Sequence, residues 1–505
     1  MKAFLQKGLN NREINLEYRD DIFFKLPLAR DLLCGKTNQG NIDLYLDHLA
    51  KWNGFTEASP KKRGPQDFLD AFKSLSGFAK QESHPAFHEP IDLSRNSVPL
   101  NGSHRMSLAI ACEQLEITPP SLSFRPTDSE SPPWNLGHFV TLGVDSAYVR
   151  LALLERMAAR PSSALVIWPC AQKYRDRILK EFSVLPSPGI AFHFTLDQPE
   201  TAGLVLATYL DEQWASQDDA IQGKTQEVGR SGQVTVVPLY TDNQESLGTA
   251  KSKCRTIWDN EFQGIHTTDS TVEALRLLRV VSHDASLALL GHIDLAGARY
   301  FRDQVLRPLE SGGPYFSGQI AITGSQILGP LGMRTPADID YITESDLKFH
   351  EGNDHRDHLV SLGIDLNDFT RQDENWVYLF GVKTLSLEGY QTVISQRREP
   401  KDIQAMRMIQ KHPLRWGNRR FSATVGYRHV TAGFRLIPPI LQSKPAQKTP
   451  RFLALYWATA RTRLALRKFK AKSLRIVAPA KRLVTAKAQR LLTRLASFAG
   501  SKSSR

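Results

Sequence analysis

Two stretches of the chain combine residue types whose spacing suits phosphate chemistry. In residues 321–342, AITGSQILGPLGMRTPADIDYI, Gly324-Ser325 follows the apolar run Ile320, Ala321, Ile322, and Asp338-Ile339-Asp340 opens a second run. Side chains alternate faces along a strand, so a strand over Ile339–Thr343 projects Asp338 and Asp340 from one face. Two carboxylates there repel unless a cation lies between them, and Mg2+ bound through oxygens suits that geometry. Gly324 permits close backbone approach, and Ser325 adds a hydroxyl for a phosphate. The alternative is a solvated strand edge or a hairpin cap.

The second stretch, residues 88–117, reads HEPIDLSRNSVPLNGSHRMSLAIACEQLEI. It predicts a strand at Pro90–Leu93, a turn at Ser94–Asn96, a strand at Val98–Leu100 and a helix from Met106 to Gln114. Gly102, Ser103, His104 and Arg105 precede that helix. A glycine at a helix start admits backbone to a ligand, and free N–H groups there attract anions. The hydroxyl, imidazole and guanidinium would add to the same phosphate. The alternative is a hairpin whose His104 and Arg105 cap neighbouring carbonyls.

Gly-Ser, a spacer of about a dozen residues and Asp-hydrophobic-Asp follow the motif order of the DNA polymerase β-like nucleotidyltransferase superfamily. Downstream, FGVKTLSLEGYQTVISQRREPKDIQAMRMI at 380–409 resembles that superfamily's strand, Leu-x-x-Leu/Tyr helix and basic-Lys-Asp helix start. The likeness covers 300–412. It implies that Gly324 and Ser325 bind phosphate, that Asp338 and Asp340 hold Mg2+, and that Arg334, Lys383 and the cluster from Arg397 to Lys401 contact anions. A third catalytic acid belongs on a later strand. Asp365 in LGIDLNDF is the nearest match, with Asp373 and Glu374 before the strand Trp376–Phe380. Without that acid, base activation of an acceptor hydroxyl is weaker, and a catalytically silent binding module is the alternative to an active transferase.

The GSHR stretch is similar to the nucleotide-binding box of the ParB/sulfiredoxin-like superfamily. That likeness implies contact of Gly102, Ser103, His104 and Arg105 with the phosphates of ATP, CTP or another nucleotide. The order of parts weakly resembles uncharacterised bacterial proteins of surface-polysaccharide biosynthesis, which implies a sugar or glycan acceptor. A nucleotide-binding, nucleic-acid-associated regulator is the rival reading, and a silent scaffold for glycan assembly is another.

Further polar sets are Lys224, then Lys251, Lys253 and Arg255, then His266 with Asp269. FHEGNDHRDHL at 349–359 carries His350, His355 and His358 with Asp354 and Asp357, and Asp346 precedes it. His355 and His358 would share a helix face able to ligate a metal, or form a solvated helix start.

The elements that must position these groups read as an α/β (α+β) chain of several domains, mixed sheets with flanking helices, ending in a basic helical tail. The expected parts are 1–117, a linker at 118–134, a middle α/β domain at 135–299, the nucleotidyltransferase-like domain at 300–412, a Pro-rich linker at 413–450 and a tail at 451–505. Val234–Tyr240 and Gly203–Tyr209 read as buried strands, Phe68–Phe78 and Thr271–Val281 as helices with Ser270 or Thr271 as N-cap, and 214–233 as a loop. Cys34, Cys112, Cys170 and Cys254 are too far apart for a ligand pair, which favours a reducing compartment.

The net charge of +13, from 65 Lys+Arg and 52 Asp+Glu, suggests nucleic acid until its distribution is read. Residues 414–505 hold 22 basic and no acidic side chains, so the first 413 residues carry a net −9. In 480–499, Leu483, Val484, Leu491, Leu492, Leu495 and Phe498 would fall opposite Arg482, Lys487, Arg490 and Arg494 on a helix. Such a tail suits an anionic membrane surface better than nucleic acid. A cytoplasmic protein, peripheral on the inner membrane face, is the expected location.

Overall fold

The computed structural model describes residues 14–411, except 17, 37, 58–61, 80–84, 132–133, 184, 242–243, 258–263, 313–319 and 344–347, together with Arg435–Leu436. The remainder of the expected linker 413–450 and the tail 451–505 lie outside the described residues. The chain divides into two units, Met1–Leu441 and Gln442–Arg505. Within the first, one cluster of buried apolar side chains extends from Ile14 to Ile409.

The N-terminal part folds around charges. Arg19 donates to both oxygens of Asp21 at 2.8 and 3.0 Å, and Lys25 Nζ donates to Asp21 Oδ2 at 3.1 Å. All three side chains are buried. Arg19 Nη1 also donates to the carbonyls of Pro99 and Asn101, at 2.6 and 3.2 Å. The neighbouring Asp20 accepts from Leu136 N at 2.7 Å and sits 3.2 Å from Arg156 Nε. Burial pulls the Asp21 carboxyl upward, but the charges of Arg19 and Lys25 outweigh it and hold it well below the usual range. Burial lowers the Lys25 ammonium to about 8 and raises Asp20 to about 6.

Strands β1 (Ile91–Leu93) and β2 (Phe124–Pro126) pair in parallel, Ile91 opposite Phe124. The Pro- and Ser-rich segment expected to be a linker therefore carries a strand, since pre-proline backbone already favours extension. The expected strand at Val98–Leu100 is reduced to a bridge between Leu93 and Pro99. Helix α1 (Ser103–Gln114) starts three residues before the predicted Met106.

The middle sheet runs β3 (Ser162–Ile167), β4 (Ile190–Leu196), β5 (Gly232–Tyr240) and β6 (Ile265–Thr267) in spatial order β4-β5-β3-β6, all antiparallel. Arg435–Leu436 pairs with the outer edge of β4. The expected strand at Gly203–Tyr209 is largely helix α2 (Gln198–Thr208). Its apolar run is buried on all sides, so periodicity could not separate strand from helix. The start signal decides for a helix: Asp197 accepts from Glu200 N at 3.0 Å, and Glu200 Oε2 accepts from Asp197 N at 2.9 Å. The supposed loop at 214–233 holds the helix Asp218–Val228. Helix α3 (Thr271–Val281) forms as expected, capped by Ser270 accepting from Glu273 N at 3.1 Å.

The C-terminal sheet contains β7 (Ile320–Thr323), β8 (Asp340–Thr343), β9 (Asn353–Asp354), β10 (Trp376–Leu379) and β11 (Val382–Leu385), in order β9-β8-β7-β11-β10. Strand β7 is antiparallel to β8 and parallel to β11. Helix α4 (Arg356–Ser361) follows β9, while α5 (Leu387–Arg397) and α6 (Pro400–Lys411) follow β11. The hairpin turn between β10 and β11 needs Gly381 at φ +80°, because a Cβ there would stand 2.5 Å from Arg276 Cα on α3. These layers bear out the α/β reading with mixed sheets and flanking helices.

Breaking a buried ion pair from one side costs about 3–5 kcal/mol. Asp21→Asn is therefore expected to lower the unfolding free energy by about that amount in a denaturant titration. In the wild type, Asp21 contributes its stabilisation above the ordinary carboxylate pKa and loses it as pH falls below about 4. The deficit of Asp21→Asn should accordingly shrink in melts at lower pH; a deficit that stays constant with pH would contradict the arrangement.

Candidate functional site

Strand β7 delivers the chain to a sharp turn. Gly324 adopts φ +64°, and a Cβ there would stand 2.3 Å from Asp340 Oδ2, so only glycine lets the turn lie against that carboxylate. Residues Gly324–Leu328 form a 3-10 helix, and the chain returns so that Asp340 pairs opposite Thr323. Asp340 is buried while Asp338 is exposed on the bend before β8. Regular strand alternation begins at Asp340 and does not reach Asp338, which corrects the expected same-face pair. Gln326, fully buried, donates from Nε2 to the Asp338 carbonyl at 2.5 Å.

The polar surroundings of Asp340 come from three elements. His355 Nε2 lies 3.0 Å from Asp340 Oδ1, an ion pair when the imidazole is protonated, and that oxygen accepts no hydrogen bond. The His358 ring is 5.1 Å from that of His355. Burial, then the charges of His355 and Arg397, hold His358 below the usual histidine range. The two histidines were expected on one helix face, but His355 precedes α4 as its N-cap residue. Tyr390 on α5 is buried, and burial raises its phenol, opposed by Arg397 and Arg334 and reinforced by Asp402 and Asp340.

The other expected anion contacts are dispersed. Arg397 forms a two-pronged pair with Asp402 at 3.0 and 2.5 Å, and Lys401 pairs with Glu399 at 3.1 Å. Lys383 Nζ lies 4.8 Å above the Trp376 ring and reaches the Thr370 carbonyl at 3.4 Å. Arg334 has no carboxylate partner among the described residues. Asp365 is exposed at the start of the helix Leu366–Arg371, so the third acid expected on a strand is not there. Glu374 is likewise exposed in the short helical turn before β10. Asp346 lies outside the described residues. Among the described residues, no group of three or more His, Cys, Asp and Glu is placed to hold a metal.

The GSHR segment is built differently from its expectation. Gly102 is left-handed at φ +73°, and α1 begins after it with no side-chain cap and no acid in its first turn. Arg105 donates to the Glu89 carbonyl. His104 Nε2 lies 2.9 Å from the Tyr45 hydroxyl, its ring edge-on to Phe72, and burial holds it well below the usual range. The imidazole and one guanidinium nitrogen thus serve the protein. The helix start at Gly102 carries no side-chain cap, and Ser103 is buried.

In the middle part, Lys224 pairs with Glu227 at 3.2 Å, and His266 lies 3.3 Å from Glu273. Asp269 N donates to Glu273 Oε2 at 2.7 Å, a helix-start arrangement. A cavity of about 540 Å3 lies between β4, α2 and the helix Asp284–Leu290, with Asp197, Glu200, Ser231 and His292 in its wall. Asp197 and Glu200 are the same pair that caps α2. None of the expected site residues lines it.

No family model, curated protein or solved structure matches the chain. The geometry around Asp340 therefore has to be read on its own. Sequence reasoning passed over Thr323, Gln326 and Tyr390. The first two adjoin Gly324-Ser325, and that adjacency was the available signal.

A left-handed backbone costs a non-glycine residue about 1–2 kcal/mol before any clash. Gly324→Ala should lose at least that stability in a chemical melt. A variant as stable as wild type would show that the carboxylate does not lie against the turn.

Proposed function

We propose that the chain is a Mg2+-dependent transferase of nucleotidyl or phosphoryl groups, taking ATP, CTP or another nucleotide as donor and a sugar or glycan precursor as acceptor. The observation that carries this reading is the close approach of the Gly324 turn to Asp340, a buried carboxylate with one oxygen lacking a donor. A buried carboxylate oxygen without a donor is the kind of group a hard cation satisfies, so the residues fit Mg2+. When bound, Mg2+ would neutralise charge on the transferred group.

The chain's own contribution is positioning. Gly324 and Ser325 offer backbone and a hydroxyl to a donor phosphate, with the Gly102–Ser103 helix start as a second phosphate-binding candidate. Arg334, without a carboxylate partner among the described residues, is suited to oppose phosphate charge. Tyr390 lies within electrostatic reach of Arg334 and Asp340. Asp338 is exposed on the approach to the strand.

A metal that neutralises developing charge contributes several kcal/mol, so Asp340→Asn should lower transfer about 100-fold or more while the far-ultraviolet circular dichroism stays native. Undiminished transfer would remove Asp340 from the reaction.

The acid-free tail supports a location for this activity at an anionic membrane surface. No helix among the described residues is long and apolar enough to cross a membrane. Truncation after residue 450 should abolish co-sedimentation with phosphatidylserine vesicles at moderate salt. Binding to duplex DNA but not to vesicles would favour the nucleic-acid regulator instead.

A further inference from the structure

Three buried oxygens next to the Gly324 turn have no hydrogen-bond donor: Thr323 Oγ1, Gln326 Oε1 and Asp340 Oδ1. Their residues are 1%, 0% and 7% exposed, so solvent does not replace the missing donors. Leaving one such group unsatisfied costs about 1–3 kcal/mol, and three in one place is a cost that a bound ligand would offset.

They belong to one neighbourhood. Thr323 and Asp340 are directly opposite in the β7–β8 register, which brings their Cβ atoms to about 4.5–5.5 Å on one face. Gly324 touches the carboxylate between them. Gln326 is anchored through Nε2 to the Asp338 carbonyl, two residues from Asp340, which fixes the direction of its Oε1. His355 borders the group at Asp340 Oδ1 without donating to it.

We infer that Thr323, Gln326 and Asp340 form an oxygen cage that holds the divalent cation of this site, in place of the Asp338–Asp340 pair. The inference rests on the transferase reading for the purpose of the metal and on the buried oxygens for its position. A hydroxyl, an amide oxygen and a carboxylate oxygen are hard ligands of the kind Mg2+, Mn2+ and Ca2+ accept. Two of the three are neutral. That explains how a cation could be held where no third His, Cys, Asp or Glu is placed among the described residues. Asp338, exposed on the bend, contributes its carbonyl to Gln326 and leaves its carboxylate outside the cage.

Mn2+ binding to the full chain, followed by electron paramagnetic resonance with Mg2+ as competitor, separates the two ligand sets. Thr323→Val is nearly isosteric and removes one orphaned oxygen, so without cation it should be at least as stable as wild type. Thr323→Val and Gln326→Leu should each weaken Mn2+ about tenfold or more, whereas Asp338→Asn should change it less than about threefold. Should Gln326→Leu fail to fold, Thr323→Val and Asp338→Asn decide the matter alone. Loss of Mn2+ in Asp338→Asn with unchanged affinity in Thr323→Val would overturn the cage and leave the transferase reading standing. A wild type that binds no Mn2+ would overturn it too. Binding that follows the cage pattern in a protein with no transfer activity would uphold the cage and remove the transferase.

Discussion

Arg19, Asp20, Asp21 and Lys25 are four charged side chains of one short segment, and the fold encloses all of them. Enclosed charge is tolerable only when each group meets its complement, and meeting it ties distant parts of the chain to this segment. Asp21 balances Arg19 and Lys25 locally. Arg19 then reaches the carbonyls of Pro99 and Asn101, immediately before the Gly102 turn and helix α1. Asp20 reaches Leu136 and Arg156 in the middle part. Arg30 adds a two-pronged pair with Glu155, at 2.5 and 2.7 Å, and a bond to Gln114 at the end of α1. The GSHR segment is thus held from both ends by hydrogen bonds from buried arginines, and its His104 and Arg105 turn inward to complete that packing.

The C-terminal sheet presents the opposite situation. The Asp21 carboxylate accepts from Arg19 and Lys25, whereas beside Asp340 three buried oxygens accept no hydrogen bond, as Asp20 Oδ1 accepts none from Arg156 3.2 Å away. Both sites sit in the same continuous core, so the difference is local and chemical. Donor-rich surroundings make a structural site. On the proposed reading, the donor-poor oxygens beside Asp340 are where a cation would bind. The Gly324 turn makes the second case possible, because a side chain there would occupy the space beside the carboxylate. The basic groups expected to help, Arg397 and Lys401, instead secure the start of α6 through Asp402 and Glu399.

Much of the architecture was legible in the sequence where local signals agreed. The strands at Ile320–Thr323 and Gly232–Tyr240, the helix at Thr271–Val281 with its Ser270 cap and the helix ending at Phe78 all follow from periodicity and end signals. Two errors have different causes. Gly203–Tyr209 is apolar on every side because it is buried on every side, so it shows neither a period of two nor of 3.6. The parallel pairing of Phe124–Pro126 with Ile91–Leu93 joins residues more than thirty apart, and no local pattern encodes that partner.

The motif order in the sequence suggested that Gly324, Ser325, Asp338 and Asp340 serve one site, since a turn between two strands can return the chain. The sequence by itself determined the split between an acidic body and a tail without acids. Only the tertiary structure decided which of these groups shares the site. It buried Asp340 and exposed Asp338, because β8 begins two residues too late to carry both. It set Thr323 opposite Asp340 and tied Gln326 to the Asp338 carbonyl, and it sent His104 toward Tyr45. Spacing constrains how far apart two residues can be, but the direction of a side chain, and whether its oxygen finds a donor, depends on neighbours from elsewhere in the chain.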